Sequence, residues 1–214
     1  MMREGYMKQL EKLHTELIVM GAFCEDAIAG AIKGLLEEDD VLRERVIRIE
    51  SDINQKEREI EDFCLRLLIR EQPVASDLRQ INAAQKIISN MERIGDQAVD
   101  IAELSAFMVG SSVKSDVHIA DMARAAVGML QGSLDSFVAG DTVKAAKVIE
   151  QDDVVDDLFV RIKDELVEEL KTDARNVNAC LDLLMIAKYL ERIGDHATNI
   201  AEQVIYAATG ERVY

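Results

Sequence analysis

The chain has 214 residues, 49% apolar and 31% charged, with one proline, no tryptophan and a formal net charge of −16. That balance excludes a disordered chain and suits one large core or two small ones. The charge argues against nucleic acid as a partner and against direct docking on an anionic bilayer. No stretch approaches the roughly 18 apolar residues of a membrane span. The first residues, Met1-Met2-Arg3-Glu4-Gly5, lead into charged amphipathic sequence and not into a secretory apolar core, so a cytoplasmic protein is expected. Cys24, Cys64 and Cys180 are odd in number, far apart and set among apolar neighbours, which predicts buried free thiols.

Ala, Leu, Ile, Glu, Asp, Arg and Lys dominate, and strand formers are few, so an all-α chain is expected. The first helix is predicted from about Met7 to Leu36, ending in Glu37-Glu38-Asp39-Asp40. A second covers about Val41 to Arg70 and must stop before Pro73. Ser76-Asp77 offers a cap for a third, which reaches about Val109 and closes at Gly110. A fourth starts near Ser115-Asp116 and ends at Gly140. Asp141-Thr142 caps a fifth running to about Lys171, and Asp173 or Asn176 opens a sixth that ends at Gly210.

An internal repeat organises these helices. Glu92-Arg93-Ile94-Gly95-Asp96-Gln97-Ala98-Val99-Asp100-Ile101-Ala102-Glu103 matches Glu191-Arg192-Ile193-Gly194-Asp195-His196-Ala197-Thr198-Asn199-Ile200-Ala201-Glu202 at nine of twelve positions, 99 residues apart. The preceding helices match more loosely, with Ile53 and Ile60 set against Val155 and Ile162. Six long helices in two tandem, similar three-helix bundles follow, divided as 1–110 and 111–214.

At about 100° per residue, Asp96, Asp100 and Glu103 fall within about 80° of Glu92. The apolar residues, with Gly95 among them, occupy the opposite arc. Glu191, Asp195, Asn199 and Glu202 repeat this stripe. The acids are therefore expected to look out of the local core, and the two glycines to admit a neighbouring helix. His14, His118 and His196 do not follow a Glu at the spacing of a buried di-iron bundle site.

Carboxylates one turn apart can share or bridge hard cations. The helix before each dodecamer offers further ligands. These are Glu50, Asn54, Glu57 and Glu61 in the first half, and Asp152 and Asp156 with Asp153 beside them in the second. Candidate metal ligands are thus Glu50, Asn54, Glu92, Asp96 and Asp100, and Asp152, Asp156, Glu191, Asp195 and Asn199. The ion could be iron, zinc, manganese or another divalent metal. An acid row is also what a solvated helix face looks like, with Arg93 pairing to Asp96 or Asp100 and Arg192 to Asp195. Arg93 and Arg192 beside the stripes, and Glu103 and Glu202 within them, are candidate partner contacts. No nucleophile–base pair, phosphate-cradling glycine loop or His-bearing metal site is visible, so no enzyme is expected.

The paired Glu-Arg-Ile-Gly-Asp segments, the longer form Tyr189-Leu190-Glu191 through Glu202, and Arg70-Glu71-Gln72-Pro73-Val74-Ala75-Ser76-Asp77-Leu78-Arg79 resemble the PhoU family across essentially the whole chain. The resemblance implies two similar three-helix bundles without catalytic activity. It implies a negative regulator of phosphate-starvation signalling that links the ATPase subunit of the high-affinity phosphate transporter to a sensor histidine kinase, reaching the membrane only through partners. It also implies multinuclear surface metal through Glu/Asp-x-x-x-Asp motifs, met here by Glu92 with Asp96 and Glu191 with Asp195. Asn54 stands where an acid would be the stronger ligand. Amphipathic bundles of this kind often pair, so a homodimer is expected. A metal-binding or metal-storage protein that merely shares the fold is the alternative.

Overall fold

The structure, a computed structural model, describes residues 2–71, 73, 75–111, 113 and 117–211. Among the described residues there are six α-helices and no strand: α1 (Met2–Glu37), α2 (Asp40–Glu71), α3 (Ala75–Ser105), α4 (Ile119–Ala139), α5 (Thr142–Thr172) and α6 (Val177–Thr209). No helix among them is long and apolar enough to cross a membrane.

The helix ends follow local chemistry. Asp39 Oδ1 accepts from the N–H groups of Val41 and Leu42 at 2.8 and 3.2 Å, capping α2. Asp141 Oδ1 does the same for α5, from Val143 and Lys144 at 3.0 and 2.9 Å. These aspartates lie 102 residues apart and satisfy amides that helix geometry leaves unpaired. Gly140 and Gly210 close α4 and α6 in the left-handed conformation, as their missing Cβ allows.

Several boundaries differ from expectation. α1 begins at Met2, not Met7, and α3 begins at Ala75, one residue ahead of the Ser76 cap. α3 stops at Ser105, where the Ser105 hydroxyl bonds the Ala102 carbonyl at 2.7 Å and a single 3₁₀ turn, Ala106–Met108, follows. The apolar run through Phe107 and Val109 therefore does not prolong the helix, and both side chains are exposed. α4 begins at Ile119, and the Ser115-Asp116 start lies outside the described residues. Asp173 caps the 3₁₀ turn ahead of α6, and Asn176 occupies the α6 N-cap without a side-chain cap bond.

Helices α1–α3 form one bundle and α4–α6 the other. α3 and α6 lie antiparallel at the centre, joined where Arg79 Nε donates to the Ala207 carbonyl at 3.3 Å and where His196 Nδ1 meets Asn90 Oδ1 at 3.0 Å. α1 reaches α4, with Gln131 Nε2 donating to Glu25 Oε2 at 2.7 Å. α2 and α5 take the flanks. One continuous core joins both bundles, including Leu17, Ile53, Ile87 and Ile94 in the first and Val155, Ile162, Leu190 and Ile193 in the second. Each fully buried aliphatic side chain contributes about 1.5–3 kcal/mol. Cys24, Cys64 and Cys180 are buried free thiols, as expected, and burial pushes the Cys64 thiol up to about 12.

Candidate functional site

Each dodecamer is brought against its preceding helix by a glycine. A Cβ built on Gly95 would lie 3.0 Å from Ile53 Cδ1, so α2 closes on α3 there. A Cβ on Gly194 would lie 3.3 Å from Val155 Cγ1 and 3.2 Å from Asp152 Oδ1. Absence of a side chain at both positions thus sets the acids of adjacent helices along one seam, the α2–α3 seam in the first bundle and the α5–α6 seam in the second.

In the first seam, Glu50 and Asn54 of α2 and Glu92, Asp96 and Asp100 of α3 are all half-buried. They neither enter the core nor stand free in water, which refines the outward-facing stripe of the helical wheel. Asn54 Nδ2 donates to Glu50 Oε1, while Asn54 Oδ1 is buried with no hydrogen-bond partner among the described residues. Burial raises the Glu92 carboxyl above the usual carboxylate range, and Asp96 and Glu50 push it further. Glu57 is raised by burial and then by Glu92 and Glu61. Arg93 pairs with Asp96 at 3.2 Å and with Glu92 at 3.4 Å, as an ordinary stitched face would require.

The second seam is more acidic at matched positions. Burial, then Asp195, Asp156, Asp153 and Glu191, push the Asp152 carboxyl up to about 6. Asp156 rises through burial and then Glu191, Asp195 and Asp153, against the opposing charge of Lys188. Lys188 also pairs with Glu191 and lies 5.6 Å from the centre of the Phe159 ring. Four of the five ligands expected here therefore face one another across α5 and α6. Asn199 is exposed, as Asp156 and Asp195 are, but it makes no hydrogen bond among the described residues and adds no charge to the seam. Glu103 is exposed as well, whereas Glu202 is half-buried and raised by burial alone.

The crossing of the two motifs was not readable from either copy. Arg192 makes no ion pair with Asp195 among the described residues; its charge acts on Asp100 of the other bundle, opposing the rise that burial, Glu103 and Asp96 cause. His196 contacts Asn90, and burial lowers its pKa. Gln97, the residue matched to His196, is also buried, and its Oε1 has no partner among the described residues. The one available signal was the Gln97/His196 mismatch, a polar pair bordering the apolar arc in an otherwise matched segment.

Among the described residues no three carboxylate, imidazole or thiol side chains already converge on one point. The donor set nevertheless fits a hard cation. All donors are oxygens, the carboxylates hold one another's proton affinity up, and the orphaned Asn54 Oδ1 is an unused ligand within the first seam.

A profile of the PhoU domain matches the chain twice, over residues 17–105 and 119–204. The chain belongs to the PhoU family. It is 38% identical to the phosphate-specific transport system accessory protein PhoU homolog of Clostridium acetobutylicum, covering 100% of this chain and 98% of that protein. It is 36% identical to the protein of the same description from Pseudomonas aeruginosa, over 98% of this chain and 88% of the other. Its fold superposes on the crystal structure of Pseudomonas aeruginosa PhoU with a TM-score of 0.88 at 34% identity, covering 96% of this chain and 100% of that one. On the phosphate transport system regulatory protein PhoU of Streptococcus pneumoniae the TM-score is 0.87 at 26% identity, covering 98% and 99%. Both PhoU matches take in an entire acid seam, since the first spans Glu50 to Asp100 and the second Asp152 to Glu202.

Proposed function

We propose that this chain is a non-enzymatic, cytoplasmic regulator of phosphate uptake that represses phosphate-starvation signalling while phosphate is plentiful. It does so by coupling the ATPase subunit of a phosphate transporter to a sensor histidine kinase, and it acts as a homodimer of two-unit chains divided as 1–110 and 111–214. The observation that carries this reading is the full-length relationship to phosphate transport accessory proteins, together with the two PhoU domain matches along the chain. The test is deletion of the gene followed by a phosphate-responsive reporter. Constitutive expression supports the role, and repression that survives deletion rejects it. A pull-down of the ATPase and kinase, with and without chelator, separates the two partnerships.

A second element is favoured by the seams themselves. Glu50, Asn54, Glu92, Asp96 and Asp100 would hold one cation site, and Asp152, Asp156, Glu191 and Asp195 the other. A bound hard cation would neutralise the crowded carboxylates and offer open positions to an oxygen ligand from a partner. The chain's own part is to crowd the acids by helix approach at Gly95 and Gly194, and to keep Arg93 and Lys188 at the rims. Elemental analysis of purified protein against the Asp96→Ala/Asp195→Ala double variant tests this assignment, and equal metal content rejects it. Metal retention with an unresponsive reporter would instead favour a metal-storage protein.

A further inference from the structure

On a chain of net charge −16, one surface gathers cations that carboxylates leave alone. α1 and α2 are antiparallel neighbours, and Phe63 of α2 sits between them, almost fully buried. Lys12 Nζ lies 5.3 Å and the Arg66 guanidinium carbon 5.8 Å from its ring centre. A ring face holds a cation by about 0.5–1 kcal/mol at exposed sites, yet it carries no net charge and accepts no ion pair. Lys12 and Arg66 are therefore positioned while their charge and N–H donors stay unspent. Neither makes an ion pair among the described residues, and Asp62, one turn before Arg66, does not engage it.

Lys8 lies one turn beyond Lys12 and Arg70 one turn beyond Arg66, toward the same end of the bundle because the helices run in opposite directions. Both are exposed and also make no ion pair among the described residues. Below them Lys56 is spent: Glu16 and Glu59 hold it at 3.1 and 2.9 Å, walling off a notch of about 240 Å³. Among the described residues the second bundle does not repeat the post: positions 102 residues on from Phe63 and Arg66 are Glu165 and Glu168, and Glu165 accepts from the His118 backbone N–H at 3.2 Å and from Arg161 Nε at 3.1 Å.

We propose that Lys8, Lys12, Arg66 and Arg70 form a docking ladder for an acidic segment of a protein partner, with Phe63 as the post that holds its central rungs. The rungs are about 6 Å apart along each helix and about 8–10 Å apart between helices. That spacing matches carboxylates one turn apart on a partner helix. The small size of the ladder selects the occupant. At physiological salt, screening acts over about 8 Å, so a short acidic segment meets the four cations and the Lys56-paired Glu16 and Glu59, and not the more distant negative field of the chain. An anionic bilayer or a nucleic acid would have to cover that field as well.

The test is fluorescence anisotropy of a labelled helical peptide carrying glutamates at i,i+4 spacing, titrated with the full chain. The expected result is binding that weakens with salt and falls about tenfold or more in Lys12→Glu/Arg66→Glu. Lys163→Glu, on the exposed face of α5, should bind as the unaltered chain does, and circular dichroism should show all variants folded. Phe63→Leu keeps an apolar side chain between the helices but removes the ring that holds the two cations, and should weaken binding severalfold. Unchanged binding in the double variant overturns the proposal, as does equal binding of the same peptide with glutamine for glutamate. Displacement by about millimolar inorganic phosphate would make the notch a small-anion pocket. Sedimentation with phosphatidylglycerol vesicles that is lost in the double variant would make the ladder a lipid site. Either result also overturns it.

Discussion

The two bundles agree where helices must approach and differ where charge can be tuned. Gly30 and Gly132 each face a valine, Val46 and Val148, where a Cβ would lie 3.0 and 2.8 Å away. Asp39 and Asp141 cap the matched helices α2 and α5, and Gly95 and Gly194 open the matched seams. Around that common frame the first seam has Glu50, Asn54 and Glu57, and the second has Asp152, Asp156 and Phe159. Packing thus decides where the acids meet, while side-chain choice decides how strongly they repel or bind. The second seam concentrates its charge and lifts Asp152 to about 6; the first spreads its charge along more of α2.

The largest expected effect separates the seams by metal. Asp152→Asn with Asp195→Asn should lower the tighter of two Mn²⁺ affinities on the order of a hundredfold, because charged ligand count sets such affinities. Glu92→Gln with Asp96→Asn should mainly affect the weaker one. Calorimetric titration that shows the same loss from either pair would erase the distinction. Next, Asn54→Asp gives the first seam the acid that Asp156 gives the second. It should tighten the weaker site about tenfold, narrowing the gap in the same titration.

The pH dependence is a smaller effect with a definite sign. The Asp152 carboxyl is raised in the folded chain, from an ordinary 3.8 to about 6. Its contribution to stability is therefore complete below about pH 4 and is lost as pH rises through about 6. In thermal melts of metal-free protein, Asp152→Asn should flatten the decline over that window more than Glu92→Gln does. An identical slope in the unaltered chain and the Asp152 variant would remove Asp152 from the account. The smallest effect is on stability alone. Gly95→Ala and Gly194→Ala each gain helix propensity but press on a neighbour, and should shift stability by about 1 kcal/mol or less. Only Gly194→Ala should also disturb cation binding, because its new methyl meets Asp152.

Much of this was legible in the sequence because it is local. The matched dodecamers placed Glu92 with Asp96 and Glu191 with Asp195 on one face, and the mid-helix glycines announced a close neighbour. Asp141, Gly140 and Gly210 marked their helix ends through chemistry that acts over a few residues. Ser105 did not, because Phe107 and Val109 continue an apolar pattern that the chain abandons for a turn. Nor did Arg192 announce Asp100, or Lys56 announce Glu16. Periodicity tells which side of a helix is covered, not which helix covers it. The Phe63 post was invisible for the same reason, since its two cations come from helices that only the fold brings together.

The antiparallel pairing of α3 with α6 has a consequence for how this molecule can change. Two copies of one helix crossing in opposite directions reproduce the contact of a two-fold symmetric dimer, in which every substitution appears twice. Within a single chain that bond is broken. Gln97 and His196 occupy equivalent places in the two copies yet differ, and so do Asp100 and Asn199. A covalent join lets one side of a symmetric surface drift while the other stays, which a pair of identical subunits cannot do.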